Sequence, residues 1–204
     1  MRIGLLGTGN VARALAAGWT AAGHDTVLGS RRPEEHRDPA VTGLKEAAAH
    51  GDVLVNATPG TVSGEILETI GAEALAGKVL IDIGVGFTDS MGLAHPDASL
   101  GELLQKAFPA TSVVKTLCTV DARVMGNPGL LDGPSTVFLS GDDAEAKRTV
   151  GGLLEDLGWP ESARLDLGGI ATARGQEHFA LLFLGIAGAL DTYVFNVRVV
   201  PPVA

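Results

Sequence analysis

The distribution of apolar residues along the chain predicts alternating strands and helices. Residues 2–6 form a short apolar run, and after a turn Val11, Leu15 and Trp19 recur every four residues. The run is typical of a strand, and the spacing is typical of one face of a helix, which Gly23 would end. The N-terminus is therefore predicted to form a strand, a turn and a helix.

The same alternation continues to about residue 157 and indicates a sheet with helices on its faces. Strands are expected at 25–29, at 41–42, from 53, at 79–83, from 112 and at 135–140, and helices at 44–50, 61–70, 99–108 and 142–157. Ser99 and Glu102 have the spacing of a capping box, and Asp142 is expected to cap the helix that ends near Leu157. Such an order predicts an α/β fold, a Rossmann-type doubly wound parallel sheet with right-handed crossovers.

The first turn has the glycine spacing of a dinucleotide site. Gly7, Gly9 and Ala12 fit the pattern G-x-G-x-x-G/A, in which the first glycine makes the turn and the second lets a pyrophosphate approach the backbone. The first turn of the helix offers unpaired N–H groups and the positive end of its dipole to that diphosphate. The residues predicted to bind it are Gly7, Thr8, Gly9, Asn10 and Val11.

The end of the second strand carries the residues that would select the ribose. An NAD-specific site would have an acidic residue here, about twenty residues after the turn, but the chain has Ser30, Arg31 and Arg32. A hydroxyl and two guanidinium groups match the 2′-phosphate of NADP, which we therefore predict as the cofactor. The alternative is a solvated loop in which the arginines pair with Glu34 and Glu35.

The ends of the fourth and fifth strands complete the predicted crevice. In an open α/β sheet, ligands lie beyond the carboxyl ends of the strands, at the point where the strand order reverses. Ala57, Thr58 and Pro59 are expected on the adenosine and ribose side. Gly84 and Gly86 are expected near the nicotinamide ribose, where they allow the backbone to come close.

The last forty residues differ from the rest. A strand is expected at 163–167 and a long helix from about 170 to 195, of which residues 179–190 are apolar nearly all round. A helix of this kind needs burial on most faces, and a second subunit would supply it. We expect an NADP-binding Rossmann-like domain at 1–162, a C-terminal helical segment at 163–204 and a homodimer built on that segment.

The composition restricts the compartment and the kinds of partner. The formal net charge is −9, which argues against nucleic acid and anionic membranes because both attract basic surfaces. No apolar run reaches the roughly 18 residues that a membrane span requires. One cysteine and no signal-peptide pattern indicate the cytoplasm. The five histidines are scattered without metal-site spacing, so no metal is expected.

These motifs resemble those of the NADPH-dependent oxidoreductases related to the coenzyme F-420:NADP oxidoreductase family. The resemblance rests on Ile-Gly-Leu-Leu-Gly-Thr-Gly-Asn at 3–10 and on Gly-Ser-Arg-Arg at 29–32. It extends to 115–119 on the sixth strand, where the family has Asn or His at the position of Cys118. The family often has an Asn-Pro pair after the fifth strand, where this chain has Asp-Ile-Gly-Val-Gly at 82–86. The resemblance implies hydride transfer between NADP(H) and a flat heteroaromatic acceptor, with coenzyme F-420 the leading candidate.

Hydride transfer requires chiefly that two rings lie in close contact, so few catalytic side chains are expected. Because the end of the sixth strand lies near the nicotinamide half, Lys115, Thr116 and Cys118 are predicted to be the catalytic residues that contact the rings. Cys118 also fits the alternative of a small buried apolar residue. Lys115, Arg123 and Arg174 are expected to hold the acidic tail of the acceptor.

Other functions fit the same sequence. A reductase of imines or carbonyls would need a proton donor, for which Lys115 and Asp82 are candidates. Relatives of this fold also include ferric reductases that take electrons through a flavin. A non-catalytic NADP sensor would keep the glycine turn and the arginines but lack an open second pocket. The sequence alone leaves the acceptor open.

Overall fold

The computed structural model describes residues 1–202, which form one eight-stranded sheet with helices on both faces. Residues 203 and 204, the end of the predicted C-terminal segment, lie outside the described part. The strands are β1 (Arg2–Leu6), β2 (Asp25–Ser30), β3 (Val41–Gly43), β4 (Val53–Asn56), β5 (Val79–Asp82), β6 (Ser112–Thr116), β7 (Val137–Ser140) and β8 (Arg164–Asp166). The α-helices within the described range are α1 (Asn10–Ala21), α2 (Leu44–His50), α3 (Ser63–Ile70), α4 (Ala72–Leu75), α5 (Leu100–Ala107), α6 (Ala122–Gly126), α7 (Ala144–Asp156) and α8 (Ala173–Leu190).

The strand order confirms the predicted fold class. The order is β3-β2-β1-β4-β5-β6-β7-β8, and β1 to β6 run parallel to one another. The chain moves outward from β1 in one direction through β2 and β3, then in the other direction from β4 onwards. The order therefore reverses beside β1, and a crevice opens where β1 and β4 end.

The expectation that the parallel order continues through the seventh strand is wrong. β7 runs antiparallel to β6, and β8 runs parallel to β7. A parallel pair needs a crossover that returns along the whole strand, usually a helix. The connection from β6 to β7 contains the five-residue α6, which is about 7.5 Å long, and a single 3-10 turn at Pro128–Leu130, but no helix long enough to return along the strand. The chain therefore enters β7 from the end of the sheet at which β6 finishes, so that the two strands are antiparallel.

Two apolar layers hold the helices on the sheet. One lies under α1, α6 and α7, and the other lies under α2, α3, α5 and the start of α8. The first layer contains the fully buried rings of Trp19 and Trp159. Their ring N–H groups donate to the carbonyl oxygens of Leu153 and Met125 at 2.8 and 3.0 Å, so neither ring buries an unpaired donor.

The two predicted helix caps have different outcomes. The capping box is confirmed, because the Ser99 hydroxyl accepts from the backbone N–H of Glu102 while the Glu102 carboxylate accepts from that of Ser99. The cap of α7 is Asp143 and not Asp142. Asp142 instead accepts from the backbone N–H of Ile170 at 2.9 Å, a contact made across the fold that sequence spacing does not reveal.

The C-terminal helix is shorter than expected. α8 ends at Leu190 because Asp191 adopts the left-handed conformation, with φ of 51°. The chain then runs back to the sheet, where the carbonyl of Val197 accepts from the backbone N–H of Thr136 at 2.8 Å.

The sheet continues beyond the expected domain boundary at residue 162, because β8 ends at Asp166. The division into 1–162 and 163–204 stays a prediction. None of the described helices is long and apolar enough to cross a membrane.

Candidate active site

A cleft of about 670 Å³ opens at the carboxyl ends of β1, β2, β4 and β5. All eleven residues predicted to bind the cofactor line it. They come from the turn after β1, the end of β2 and the turn after β4, which are separate in sequence and meet at one edge of the sheet. That these residues bind a cofactor stays a prediction, but their common location is a property of the fold.

The glycine turn shapes the centre of the cleft. Gly7 has φ of 123°, and a Cβ there would lie 2.7 Å from the carbonyl oxygen of Ala57, so only glycine fits. Gly9 is the residue immediately before α1; it has an ordinary φ of −77°, and a Cβ there would meet nothing within 4 Å. α1 has no side-chain cap and no acidic residue in its first turn. Its N-terminal N–H groups are therefore free to bind an anion that approaches across Gly9.

The arginines lie at one end of the cleft, beyond β2. The Ser30 hydroxyl accepts from the backbone N–H of Arg32 at 3.1 Å, which fixes the turn. Arg32 forms an ion pair of 2.8 Å with Glu35, and both side chains are more than half exposed. Arg31 has no ion pair within residues 1–202. The alternative of a solvated loop therefore applies to Arg32, which pairs with Glu35. Because an exposed ion pair contributes little energy, Arg32 can leave Glu35 to bind a phosphate.

The opposite end of the cleft is apolar. It is lined by Ile83, Gly84, Val85 and Phe87, which follow β5. Among the described residues that line the cleft, the ionisable ones are Arg31, Arg32, Glu35 and His36, and all of them lie at the arginine end. The cleft therefore combines a half that carries two arginines with a half that has no acid or base of its own.

The three residues predicted to be catalytic do not line this cleft. Lys115 and Thr116 are fully buried, and the Thr116 hydroxyl has no hydrogen-bond partner in the described part of the chain. Cys118 is partly exposed, but burial of its thiol raises the pKa to about 12, so the thiol is neutral at physiological pH. Lys115 and Thr116 present no surface to a substrate, which corrects the expectation that they contact the rings.

Lys115 is the centre of a buried ionic cluster. Its ammonium group donates to Asp82 Oδ2 at 2.9 Å, lies 2.7 Å from Glu177 Oε1 and also donates to the carbonyl oxygen of Gly84. Burial alone would lower the pKa of Lys115, but the negative charges of Asp82 and Glu177 outweigh it and raise that pKa above its usual value. Lys115 is therefore a cation that donates two hydrogen bonds and forms an ion pair with each of two carboxylates.

Of the carboxylates around Lys115, the sequence suggested Asp82 as a candidate proton donor and did not suggest Glu177. Asn56, Asp82 and Lys115 are neighbours in register at the ends of β4, β5 and β6. The signal that could have found them is that each polar residue ends or interrupts an otherwise apolar strand. Glu177 gives no such signal, because only the packing of α8 against the start of α5 brings it to Lys115.

The cations expected to hold an acceptor tail already have partners. Lys115 is enclosed in its cluster, Arg123 pairs with Asp121 at 2.7 Å, and Arg174 pairs with Glu102 at 2.6 Å. Within residues 1–202, no group of three His, Cys, Asp or Glu residues is arranged to hold a metal ion.

Comparison with known proteins identifies close relatives. The family model described as NADP oxidoreductase, coenzyme F-420-dependent, matches residues 2–86. A solved structure from Arthrobacter sp. FB24, provisionally named an F-420-dependent NADP reductase, has a TM-score of 0.91 and 38% identity and covers 98% of this chain and 100% of its own.

Two curated relatives are longer proteins. Metalloreductase STEAP3 of Rattus norvegicus is 32% identical over 90% of this chain and 37% of its own length. Pyrroline-5-carboxylate reductase 2 of Pongo abelii is 31% identical over 77% of this chain and 48% of its own length. The chain thus spans less than half the length of these curated relatives.

Proposed function

The chain belongs to the family of NADP oxidoreductases that are coenzyme F-420-dependent, and on this premise we propose that it transfers a hydride between NADP(H) and a flat heteroaromatic acceptor. Coenzyme F-420 is the acceptor that we propose first. NADP as the cofactor, the homodimer and the cytoplasmic location are further parts of this proposal. The premise rests on the family model and on the Arthrobacter structure, which matches over its whole length.

One observation carries the proposal: the open N-terminus of α1 and the two arginines lie in the same cleft. The free N–H groups of α1 suit a diphosphate, and Gly9 leaves room for it to approach the backbone. Arg31 and Arg32 suit a second phosphate on the adenosine ribose. These donors fit NADP(H) better than NAD(H), which has no phosphate at that ribose.

The apolar end of the cleft supports hydride transfer to a flat acceptor. When bound, NADP(H) supplies or takes up the hydride at C4 of its nicotinamide. In the forward direction one C–H bond of NADPH breaks, a C–H bond forms on the acceptor, and a proton from solvent balances the charge. Ile83, Gly84, Val85 and Phe87 offer an apolar wall that excludes water and orients a ring.

Reduction of an imine or a carbonyl is less well supported. Such a reaction needs a proton donor close to the substrate, and the candidates from the sequence were Lys115 and Asp82. Both side chains are fully buried, and Lys115 donates a hydrogen bond to Asp82. A deazaflavin places smaller demands on this end of the cleft, since ring alignment is its main requirement.

An acceptor panel tests this choice. NADPH oxidation is followed with the deazaflavin F-420, a flavin, a ferric chelate, a cyclic imine and a carbonyl compound, each over a range of concentrations from below KM to saturation. The proposal expects the deazaflavin to give the highest kcat/KM. Turnover with the imine alone would replace F-420 by that substrate, and binding of NADPH without turnover on any acceptor would indicate a sensor.

The homodimer rests on the exposed apolar side of α8. Leu181, Leu182 and Leu190 are 40%, 55% and 56% exposed, and no charged residue lies between His178 and Asp191. A second copy of the same helix would cover this uncharged surface.

We expect sedimentation at micromolar concentration to give about twice the chain mass, and Leu182→Lys to give monomers, because a buried unpaired charge opposes the interface. Leu130→Lys is the matched control. Leu130 is 51% exposed, which is similar to Leu182, but it lies in the connection between β6 and β7 and is not part of α8. A wild-type protein that sediments as a monomer would contradict the homodimer.

A further inference from the structure

The ionic cluster around Lys115 holds both backbone groups of one residue in the cleft wall. The carbonyl oxygen of Gly84 accepts from Lys115 Nζ, and the N–H of Gly84 donates to Asp82 Oδ1 at 3.2 Å. Asp82 Oδ1 also accepts from Asn56 Nδ2 at 2.8 Å, and Asp82 Oδ2 accepts from Lys115. Gly84 thus has its N–H and its C=O fixed by two side chains that are bonded to each other.

Regular secondary structure does not fix this part of the chain. β5 ends at Asp82, and the last backbone bond of the sheet beside it runs from the N–H of Ile83 to the carbonyl oxygen of Asn56 at 3.2 Å. Gly84 and Val85 follow as irregular backbone and line the apolar end of the cleft. The position of this wall therefore depends on the side chains of Asp82 and Lys115.

Glu177 connects the same cluster to the C-terminal helix. Its carboxylate accepts from the backbone N–H groups of Leu100 and Gly101 at 3.0 and 3.3 Å, at the start of α5, and contacts Lys115. A carboxylate at that position is stabilised by the positive end of the α5 dipole. Glu177 is 3% exposed and does not line the cleft, so it can act on the cleft only through other groups.

The stability of the folded protein does not by itself explain why this cluster is charged. Replacement of a buried ion pair by apolar residues of the same volume is often neutral or stabilising, because burial of two charges costs more than their attraction returns. A directed N–H donor, however, can hold a carbonyl at one place, which an apolar side chain cannot do. The cluster lies where such a donor is useful, beside irregular backbone in the wall of the cleft.

We propose that Lys115, held in place by Asp82 and Glu177, is a positioning residue that fixes the Gly84 peptide in the wall against which the nicotinamide half of the cofactor binds. This inference rests on the proposed function, since it assumes that a dinucleotide lies across the cleft. The assignment of the nicotinamide to this end follows from the arginines at the other end. Glu177 acts through Lys115 and makes the wall sensitive to the placement of α8.

The test separates the two halves of the cofactor. The affinities of NADPH and of adenosine 2′,5′-bisphosphate, which contains only the adenosine half with its phosphates, are measured by calorimetry for the full chain. The emission of bound NADPH reports the surroundings of its nicotinamide ring. The variants are Glu177→Gln, which keeps the size of the side chain, and Lys115→Met, which removes the charge and both donated hydrogen bonds.

We expect both variants to raise the dissociation constant of NADPH by about tenfold, which corresponds to about 1.4 kcal/mol, the energy of one hydrogen bond. We also expect the emission of bound NADPH to shift towards that of the free cofactor. The affinity for adenosine 2′,5′-bisphosphate should stay within about twofold of wild type, because α1 and the arginines are unchanged. If Lys115→Met does not fold, Glu177→Gln decides the outcome alone.

Lys78→Met is the matched control. Lys78 is a partly buried lysine that also donates to two carbonyl oxygens, those of Ala48 and Gly51, at 2.8 and 2.5 Å, but it precedes β5 at the amino end of the sheet. Its replacement should lower stability without changing either affinity. Wild-type NADPH affinity and emission in Glu177→Gln and Lys115→Met, or equal losses for both ligands, would overturn the inference. A wild-type protein that does not bind NADPH would instead remove the proposed function.

Discussion

Gly9→Ala is expected to weaken NADPH binding by about a hundredfold, while the free energy of unfolding changes by less than about 1 kcal/mol. The backbone of Gly9 has φ of −77° and ψ of −175°, which any residue can adopt, and a Cβ would meet nothing within 4 Å. The methyl group therefore costs the folded protein little. It would occupy the space through which a pyrophosphate must pass to reach the N–H groups of α1.

Two other glycines provide controls for this effect. Gly152→Ala on α7 adds a methyl group that also meets nothing within 4 Å, and it should leave both NADPH binding and folding intact. Gly7→Ala should instead destabilise the fold, because Gly7 has φ of 123° and its Cβ would lie 2.7 Å from a carbonyl oxygen. Dissociation constants from titration and urea unfolding curves separate the three cases. Wild-type affinity in Gly9→Ala would mean that the diphosphate does not bind over the glycine turn.

Replacing both Arg31 and Arg32 by alanine is expected to remove most of the preference for NADPH over NADH. Each guanidinium offers a charge-assisted bond to the 2′-phosphate worth about 1.5 to 3 kcal/mol, so the wild-type preference should be about tenfold or more. Arg31 is not engaged in an ion pair within residues 1–202, whereas Arg32 must first release Glu35. We therefore expect Arg31→Ala alone to cost at least as much as Arg32→Ala alone.

Arg37→Ala is the control for a general loss of positive charge. Arg37 is exposed on the same loop but does not line the cleft, so its removal should leave the ratio of the two dissociation constants unchanged. The double variant should unfold at nearly the same urea concentration as wild type, because both arginines are surface residues. Equal dissociation constants for NADPH and NADH in the wild-type protein would contradict the assignment of NADP.

Local signals in the sequence predicted which residues line the arginine end and the centre of the cleft. Gly7 and Gly9 lie between an apolar run and a helical period, and such a unit has one common geometry. The position of Arg31 and Arg32 follows once β2 is placed beside β1, because parallel neighbours end at the same edge. The capping box of Ser99 and Glu102 is likewise a contact between residues three apart, which spacing alone can reveal.

Contacts between distant segments could not be predicted in the same way. Lys115 was expected to face a substrate, but Glu177, sixty-two positions later, and Asp82 enclose it. The direction of β7 depends on how the short α6 packs, not on the apolar pattern of β7 itself. The end of α8 depends on the left-handed backbone of Asp191 and on pairing of the following residues with Thr136. Each of these features depends on tertiary packing, which the spacing of apolar residues along the chain does not reveal.

Rapid mixing of the NADPH complex with oxidised coenzyme F-420 is the direct test of hydride transfer to that acceptor. We expect the visible absorbance of the deazaflavin to bleach within seconds and one NADPH to be consumed for each F-420 reduced. Gly9→Ala at the same NADPH concentration should bleach it far more slowly, which ties the reaction to this cleft. No bleaching by the wild-type protein at saturating concentrations, alongside turnover with another acceptor, would contradict the claim that F-420 is the hydride acceptor.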